Sequence, residues 1–431
     1  MGEIGSTDPA LDTAGPGSGL DTAGPGSGLD TSHRRGRSGV AVTGVRPAPS
    51  PLPGYRPGDH FFSSPFGSLL GRGTAVAPGH AIGRTDRWSE IASSLLTAAR
   101  AGGVPEPIVV GALGFDPVTP PRLLVPRQVY RGGPPRWLPG VPPALPGRWR
   151  AAPTPPVEEY LAGVAAAVRA IGAGELEKVV LSRALDLTGD GPVPIGALLR
   201  RLADREPRGH VFAADVSDPA EPGTRTLVGA SPELLVSRHG RAVVSNPLAG
   251  SAARHPDPVT DRARAAALAA SEKDRREHRA VVDDLAARLG PLCTDLVVPA
   301  EPVLVRTPSM WHLSTRVTAT VRDPDTGSLD IAQALHPTPA VGGVPLAAAT
   351  ALIAAVEGYD RRYYTGVVGW TDERGDGEWA IALRCAEVRG AALRLYAGGG
   401  IVAGSEPAAE LAETRAKFRT FLAAVGLDAE P

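Results

Sequence analysis

The chain has 431 residues, and its 45 basic and 46 acidic side chains leave a formal net charge of −1. This balance excludes the strong excess of one charge sign that nucleic-acid-binding proteins need. The sequence has no apolar run near the roughly 20 residues needed to cross a bilayer, so we expect neither a nucleic-acid partner nor a membrane partner.

The first segment is predicted to lie outside the globular domain. The nine residues from Leu11 to Gly19 recur unchanged from Leu20 to Gly28, and a third copy begins at Leu29. A unit with one aliphatic residue cannot bury enough surface to offset its ordering entropy. We therefore predict a disordered tail and linker over residues 1–57, without a secretory signal, followed by one domain over residues 58–431.

The domain has a divergent first part, residues 58–156, and a core, residues 157–428. In the first part, apolar patterning predicts a helix from Ser89 to Ala101 and a buried strand from Ile108 to Phe115. The many prolines from Pro117 to Pro156 indicate irregular connections with edge strands.

The core is predicted to combine long helices with short strands. The helices span Val157 to Ile171, Ser271 to Leu289, Leu346 to Glu357 and Pro407 to Val425. The strands span Leu176 to Leu185, Thr226 to Gly229, Leu234 to Ser237, Ala242 to Ser245, Gly366 to Trp370, Trp379 to Arg384 and Ala392 to Ala397. This order lacks the regular strand–helix alternation of a parallel sheet and favours an α+β sandwich.

Lysine is rare in this chain. All but three of the 45 basic residues are arginine, and the three lysines are Lys178, Lys273 and Lys417. Lys178 falls in a predicted strand among apolar neighbours, where burial disfavours the ammonium form and makes the amine available as a base near pH 7. The alternative is a lysine at a sheet edge whose ammonium group reaches water.

Glu277 falls on a helix face that must be buried. Ser271 and Asp274 form a capping box that predicts the start of this helix. Glu277 precedes Val281 by four residues and Leu285 by eight, so the three share one face. A carboxylate in that position needs a cation or a metal ion as its partner.

The last predicted helix carries a second group of charges. The glycine-rich run from Ala397 to Val402 is interpreted as a turn before a helix start near Ser405, where N–H groups can hold an anion. Glu410, Glu413 and Lys417 share one face of the helix. Two carboxylates one turn apart suit Mg²⁺, although a surface helix with an ordinary Glu413–Lys417 pair is the alternative.

The two cysteines indicate the compartment. Cys293 and Cys385 are too few for a disulfide framework, and neither lies in a cluster with zinc spacing. We predict two buried thiols in a cytoplasmic protein.

Nine motifs follow one another along the core. They are EKVVLSR (177–183), GASPELL (229–235), PLAGS (247–251), SEKDRREH (271–278), WHL (311–313), HPTPA (336–340), DR with YTGVVGW (360–370), GEWAIALR (377–384) and AGGGIV (397–402) with Glu410 to Lys417. In this order they resemble the chorismate-utilising enzymes, most closely the isochorismate synthases of the siderophore type. The resemblance is strong over residues 178–427 and weak over residues 60–150.

The resemblance implies a fold and a reaction. The fold would be a large sandwich of two layered β-sheets with outer helices. The reaction would be the Mg²⁺-dependent isomerisation of chorismate to isochorismate, in which water adds at C2 and the C4 hydroxyl leaves. The expected protein is a monomer that binds one small-molecule substrate and needs no glutaminase subunit.

The resemblance also assigns roles to single residues. Lys178 matches the base that removes a proton from water, Glu233 the acid that protonates the departing hydroxyl, and His312 a histidine beside C4. Glu277 and Glu413 match the Mg²⁺ ligands, with Glu410 acting through water. The positions that match contacts to the substrate carboxylates are Gly250, Ser251, Gly399, Gly400, Lys417, Arg384 and Tyr364.

Alternative functions stay open at this point. Salicylate synthase shares the catalytic and metal positions and then eliminates pyruvate, although PLAGS and MWHL favour the isochorismate synthases. Ammonia-using members usually carry another residue at the position of Lys178. A catalytically inactive binding subunit is disfavoured because every matched acid, base and metal position is filled.

Overall fold

The computed structural model describes residues 48–78, 87–135, 142, 144–145 and 147–427. The chain divides into two units after Arg46, and the structure described here belongs to the second, Pro47–Pro431. Most of the predicted tail, residues 1–47, lies outside the described residues, so its disorder stays a prediction. Within the remainder of that segment, Leu52–Gly54 forms a short 3₁₀ helix and Leu52 is buried.

The described residues form twenty β-strands, numbered here in chain order. They are β1 (His60–Ser64), β2 (Gly67–Val76), β3 (Ile108–Leu113), β4 (Arg122–Gly132), β5 (Trp149–Thr154), β6 (Lys178–Gly189), β7 (His210–Asp215), β8 (Thr226–Ser231), β9 (Leu234–His239), β10 (Ala242–Asn246), β11 (Leu248–Ala253), β12 (Cys293–Val297), β13 (Val303–Arg306), β14 (Met310–Ser314), β15 (Val317–Val321), β16 (Gly343–Val344), β17 (Val367–Asp372), β18 (Gly377–Ile381), β19 (Cys385–Arg389) and β20 (Ala392–Val402).

All the strand pairs of the described residues are antiparallel, and they build two large sheets. The first sheet runs β5-β6-β20-β19-β8-β7-β1-β2-β4, and the short β16 also pairs with β6. The second runs β4-β3-β17-β18-β9-β10-β15-β12. The long strand β4 belongs to both sheets, and a separate small sheet runs β11-β14-β13.

Eight α-helices accompany these strands in the described part of the chain. They are α1 (Trp88–Ala101), α2 (Val157–Gly172), α3 (Ile195–Arg205), α4 (Pro258–Ala270), α5 (Glu272–Leu289), α6 (Ser328–Leu335), α7 (Leu346–Val356) and α8 (Pro407–Val425). The predicted cap of α5 is present, because Ser271 Oγ accepts a hydrogen bond from the N–H of Asp274 at 3.2 Å. None of the helices described is long and apolar enough to span a membrane.

The apolar clusters show how the layers pack. One cluster fills the space between the two sheets and includes Phe62, Phe212 and Tyr364. A second lies between the second sheet and helices α1, α5 and α6, and a third between the first sheet and helices α3 and α8. Successive residues of a strand point to opposite faces, and β8, all of whose residues are buried, has both faces covered and is mostly apolar. The α+β sandwich with outer helices is thereby confirmed.

The structure corrects the interpretation of the glycine-rich run as a turn. Residues 397–402 continue β20 to Val402, and Gly398, Gly399 and Gly400 pair with Ser182, Leu181 and Val180 of β6. The run is extended because every one of its residues has a pairing partner on β6. Glycine is needed at positions 399 and 400 because carboxylate side chains approach the strand closely there.

The predicted irregular segment from Pro117 to Pro156 is also corrected. It contains β4 of 11 residues, which joins the two sheets, as well as β5, which pairs only with β6 among the described strands and is an edge strand as predicted. Pro126 has no N–H to donate, and it lies where the register between β4 and β2 shifts, opposite Thr74. A proline is tolerated at such a bulge, so its presence did not exclude a long strand.

Candidate active site

A cleft lies where β20, β11, α5 and α8 meet, and its empty space, counted together with the solvent at its mouth, is about 830 Å³. Its lining combines acidic, basic and aromatic side chains with bare backbone. The residues singled out from the sequence that line it are Glu233, Gly250, Ser251, Glu277, His312, Tyr364, Arg384, Gly399, Gly400, Glu413 and Lys417. Lys178 and Glu410 lie directly behind this lining, so the predicted set converges on one place.

The glycines of β20 provide the space in which the carboxylates meet. A Cβ atom on Gly400 would lie 2.3 Å from Glu277 Oε1, and one on Gly399 would lie 2.9 Å from Glu410 Oε2 and 3.6 Å from Glu413 Oε1. A Cβ atom at these two positions would displace the oxygens of Glu277 and Glu410, whereas the distance to Glu413 is an ordinary contact. The strand therefore brings three carboxylates from α5 and α8 against one stretch of backbone.

Each of the three lysines of the chain pairs with one of these carboxylates. The pairs are Lys178 Nζ with Glu277 Oε1 at 3.0 Å, Lys273 Nζ with Glu410 Oε1 at 3.5 Å, and Lys417 Nζ with Glu413 Oε1 at 2.6 Å. Lys417 also donates to the carbonyl of Gly398 at 2.7 Å. The rare lysines are thus concentrated in the cleft, including Lys273, for which the sequence suggested no role.

Lys178 is an interior residue of the first sheet. Its side chain is 3 % exposed, and its backbone pairs with Val402 of β20 on one side and Val344 of β16 on the other. A lysine flanked by strands on both sides is not at a sheet edge, which excludes the alternative of an ammonium group that reaches water. Its only ion-pair partner among the described residues is Glu277.

Glu233 is a buried carboxyl group in the turn between β8 and β9. Burial raises its pKa to about 8, although the N–H of Leu248 and the charges of Lys178 and Lys417 act in the opposite direction. The backbone N–H of Glu233 donates to Ser231 Oγ at 3.2 Å and fixes the turn. At neutral pH this side chain carries a proton that it can donate.

Arg384 and His312 form a basic pair at the wall of the cleft. Arg384 has a left-handed backbone with φ of 47°, at the break between β18 and β19. Its Nη2 lies 3.3 Å from His312 Nε2. A guanidinium only donates, so this ring nitrogen accepts and His312 is neutral. Burial, together with the charges of Arg384 and Lys417, lowers the pKa of His312 well below its ordinary value.

An aromatic stack closes another side of the cleft. The rings of Tyr364 and Tyr396 lie 4.8 Å apart with an interplanar angle of 9°. Burial raises the pKa of Tyr364 above its ordinary value, so its hydroxyl stays protonated. It therefore offers a neutral donor beside Arg384.

The two carboxylates of α8 have different protonation behaviour. Burial and the neighbouring charge of Glu413 raise the pKa of Glu410 to about 7. Glu413 is half-buried, with 27 % of its side chain exposed, and although desolvation acts in the opposite direction, its pairing with Lys417 and a hydrogen bond of 3.0 Å from Ser251 Oγ lower its pKa below the ordinary value. Glu413 is therefore the ionised member of the two near neutral pH.

The carboxylates of α5 and α8 fit a divalent cation that also takes water and substrate oxygens as ligands. Within the described ranges, no group of three or more His, Cys, Asp or Glu side chains is arranged to hold a metal ion alone. Glu410 Oε2, however, is buried without a hydrogen-bond partner next to Gly399. Mg²⁺ usually takes one or two carboxylates and completes its shell with water and substrate oxygens.

The cleft contains residues that the sequence reasoning did not assign. Lys273, Asp274, Thr365, Leu383 and Tyr396 also line it. All except Tyr396 lie within the quoted motifs, but no role in the cleft was assigned to these side chains. The helical phase of Asp274, one turn before Glu277, is the one sequence signal that would have indicated its position.

The fold and this cleft define the class of chorismate-utilising enzymes. A family model described as chorismate binding enzyme matches residues 144–426. The chain belongs to this family.

Individual relatives extend the match to nearly the whole chain. The isochorismate synthase DhbC of Bacillus subtilis is 47% identical over 378 residues, which cover 87% of this chain and 95% of that protein. The isochorismate synthase EntC of Escherichia coli is 37% identical over 382 residues, 86% of this chain and 95% of that protein. A crystal structure of DhbC from Bacillus anthracis superposes with a TM-score of 0.82 at 44% identity, and the match covers 87% of this chain and 98% of that chain.

Proposed function

We propose that this protein is an isochorismate synthase, an isomerase that converts chorismate to isochorismate with the help of Mg²⁺. The observation that carries the proposal is the convergence in one cleft of a buried lysine, a buried protonated carboxyl group and ionised carboxylates. The two relatives named above are isochorismate synthases, and this chain aligns with nearly their whole length, which supports the proposal.

Two groups perform the proton transfers in this proposal. The neutral amine of Lys178, released from its ion pair with Glu277, accepts a proton from the water that attacks C2, and Glu233 donates its proton to the hydroxyl that leaves C4 as water. The ring therefore gains one hydroxyl and loses one, and the product is an isomer of the substrate. Because the reaction is reversible, each group takes the other's role in the opposite direction. The raised pKa of Glu233, about 8, suits a group that must donate a proton near neutral pH.

The substrate is held through its two carboxylates. Chorismate is a dianion and the protein is almost neutral, so positive groups must be concentrated in the cleft. Arg384 can bind the enolpyruvyl carboxylate with two parallel hydrogen bonds, and Tyr364 can add a third. The backbone at Gly250 and Gly399, with Lys417, would surround the ring carboxylate.

The metal ion would be held on the ring-carboxylate side of the cleft. Glu277 and Glu413 would be its ligands, and Glu410 would contact it through water. Bound Mg²⁺ would neutralise the ring carboxylate and orient it. In the structure these two carboxylates form ion pairs with lysines. Binding of the metal ion would therefore require each carboxylate to give up its ammonium partner.

The proposal extends to the location and the assembly of the protein. Cys293 and Cys385 are buried and free, which agrees with a reducing compartment such as the cytoplasm. A monomer without a glutaminase subunit, and without a nucleic-acid or membrane partner, stays the prediction made from the sequence. Size-exclusion chromatography with light scattering tests the monomer directly.

The activity itself is tested by incubating the purified protein with chorismate and Mg²⁺, without ammonia, and separating the products by chromatography. Isochorismate as the main product supports the proposal. Salicylate with pyruvate would indicate a salicylate synthase, and unchanged chorismate would contradict enzymatic activity.

A further inference from the structure

Arg384 is anchored from behind by two hydroxyl groups. Its Nη1 donates to Ser309 Oγ at 3.1 Å and to Thr420 Oγ1 at 3.5 Å, while Nη2 faces His312. Ser309 precedes β14 and Thr420 lies in α8, and both side chains are buried. We call Ser309 and Thr420 the hydroxyl pair. Neither residue is among those that line the cleft, so the pair acts on the substrate only through Arg384.

The hydroxyl pair leads to a buried carboxyl group. Thr420 Oγ1 donates to Glu206 Oε1 over a long hydrogen bond of 3.5 Å, and Glu206 is 6 % exposed at the end of α3. Glu206 also does not line the cleft. No catalytic step described above uses it.

The directions of the hydrogen bonds follow from the number of protons. A guanidinium has only donors, and each hydroxyl has one proton. Thr420 uses its proton toward Glu206, so in the contact of 2.9 Å between the hydroxyl pair Ser309 must be the donor. Both hydroxyl protons therefore point away from Arg384, that of Ser309 toward Thr420 and that of Thr420 toward Glu206. The carboxyl group of Glu206 is the terminal acceptor.

We propose that Glu206 is a positioning residue: as the terminal acceptor behind Arg384, it keeps the hydroxyl pair oriented and thereby holds the guanidinium toward a carboxylate of the substrate. Without an acceptor at this position, the proton of Thr420 turns back toward Ser309 or toward the arginine N–H. One of the two hydroxyl protons is then left without an acceptor, and where it points toward the arginine it competes with an N–H bond, so the guanidinium is held less firmly. The inference rests on the proposed function only in that Arg384 binds a substrate carboxylate.

The protonation of Glu206 is compatible with this role. Burial raises its pKa to about 7, although the charge of Arg384 and the hydrogen bond from Thr420 lower it. Both forms of a carboxyl group have a free acceptor oxygen. The role is therefore that of an acceptor, and a neutral amide of the same shape can replace it.

The test compares variants of the terminal acceptor, Glu206, and of the link to it, Thr420. Glu206→Leu removes the acceptor, Thr420→Val removes the link, and Glu206→Gln keeps an acceptor oxygen. The first two are expected to raise KM for chorismate about five- to tenfold while kcat changes less than about twofold, and Glu206→Gln is expected to stay within about twofold of the wild type in both.

A buried carboxylate elsewhere provides the matched control. Glu387 is 6 % exposed and pairs with Arg225 Nη1 at 2.9 Å, away from the lining of the cleft. Glu387→Leu should lower the melting temperature and leave KM unchanged. Melting curves of all variants, recorded by circular dichroism, separate a loss of stability from a loss of substrate binding.

Two results would overturn the inference. One is an unchanged KM in both Glu206→Leu and Thr420→Val, and the other is a Glu206→Gln variant as impaired as Glu206→Leu. If the wild type does not turn over chorismate, the proposed function fails, and the inference is then tested by calorimetric titration with chorismate. The same pattern is expected in Kd, and equal affinities in all variants would overturn it.

Discussion

Lys178 Nζ lies 3.0 Å from Glu277 Oε1, so the lysine at the predicted base position and a carboxylate at a predicted metal-ligand position form one ion pair in the interior of the protein. The two residues come from β6 and α5, and the bare backbone of Gly400 lets them meet. The pair links proton transfer to the metal site. For a variant of either residue, both the rate of turnover and the Mg²⁺ dependence must therefore be measured.

The first prediction concerns Lys178. Lys178→Met keeps most of the apolar side chain and removes the amine, so kcat should fall by at least about 10²-fold. Chorismate binding should change little, because the residue does not contact the substrate carboxylates, whereas the melting temperature should fall, because Glu277 loses its ion-pair partner. Retained turnover in this variant would remove Lys178 from the role of base.

The second prediction concerns Glu277. Glu277→Gln removes a charged oxygen ligand, and the Mg²⁺ concentration for half-maximal activity should rise at least about tenfold. Glu272→Gln, an exposed residue of the same helix, is the control and should leave the Mg²⁺ dependence unchanged. Titrations of activity with Mg²⁺ measure both. Equal Mg²⁺ dependence in the two variants would exclude Glu277 as a ligand.

The third prediction is a pH dependence. Glu233 donates a proton, so its protonated form is the active one, and burial raises its pKa to about 8. Activity should therefore be present below this pH and be lost as the pH rises through it. Glu233→Gln should lower kcat by about 10²- to 10⁴-fold across the whole profile. A variant with wild-type rates would contradict the assignment.

The fourth prediction concerns the glycine strand. A Cβ atom at position 400 would displace the carboxylate of Glu277 and press on Lys178, so Gly400→Ala should lose activity and Mg²⁺ binding while it stays folded. Gly172→Ala is the control, because a Cβ atom there meets no atom within 4 Å. Activity assays and melting curves distinguish the two. An active Gly400→Ala variant would show that this close approach is not needed.

Strong local patterns were sufficient to predict part of the fold. The last helix was predicted from Pro407 to Val425, and α8 has these bounds. The capped helix α5 and the strand with Lys178 were also confirmed, because periodicity and capping are properties of adjacent residues. Helix α4 was missed because few apolar residues mark its buried face, with Ala265 and Leu268 buried among mostly exposed neighbours.

The pairings within the site could not be predicted from the sequence. Lys273 meets Glu410, which is 137 positions further along the chain, only because α5 and α8 approach the same strand. The four residues that end at Glu206 come from four separate segments. Contacts of this kind depend on the packed structure, whereas the motifs that carry the family resemblance lie in short stretches of chain.

The origin of the new hydroxyl tests the central claim most directly. Chorismate is incubated with the protein and Mg²⁺ in water enriched in ¹⁸O. Isochorismate is isolated at low conversion, and its ¹⁸O content is measured by mass spectrometry. The account predicts isochorismate with one ¹⁸O atom in its ring hydroxyl at C2, because this oxygen comes from the water that Lys178 deprotonates. Isochorismate without ¹⁸O, or no isochorismate at all, would contradict it.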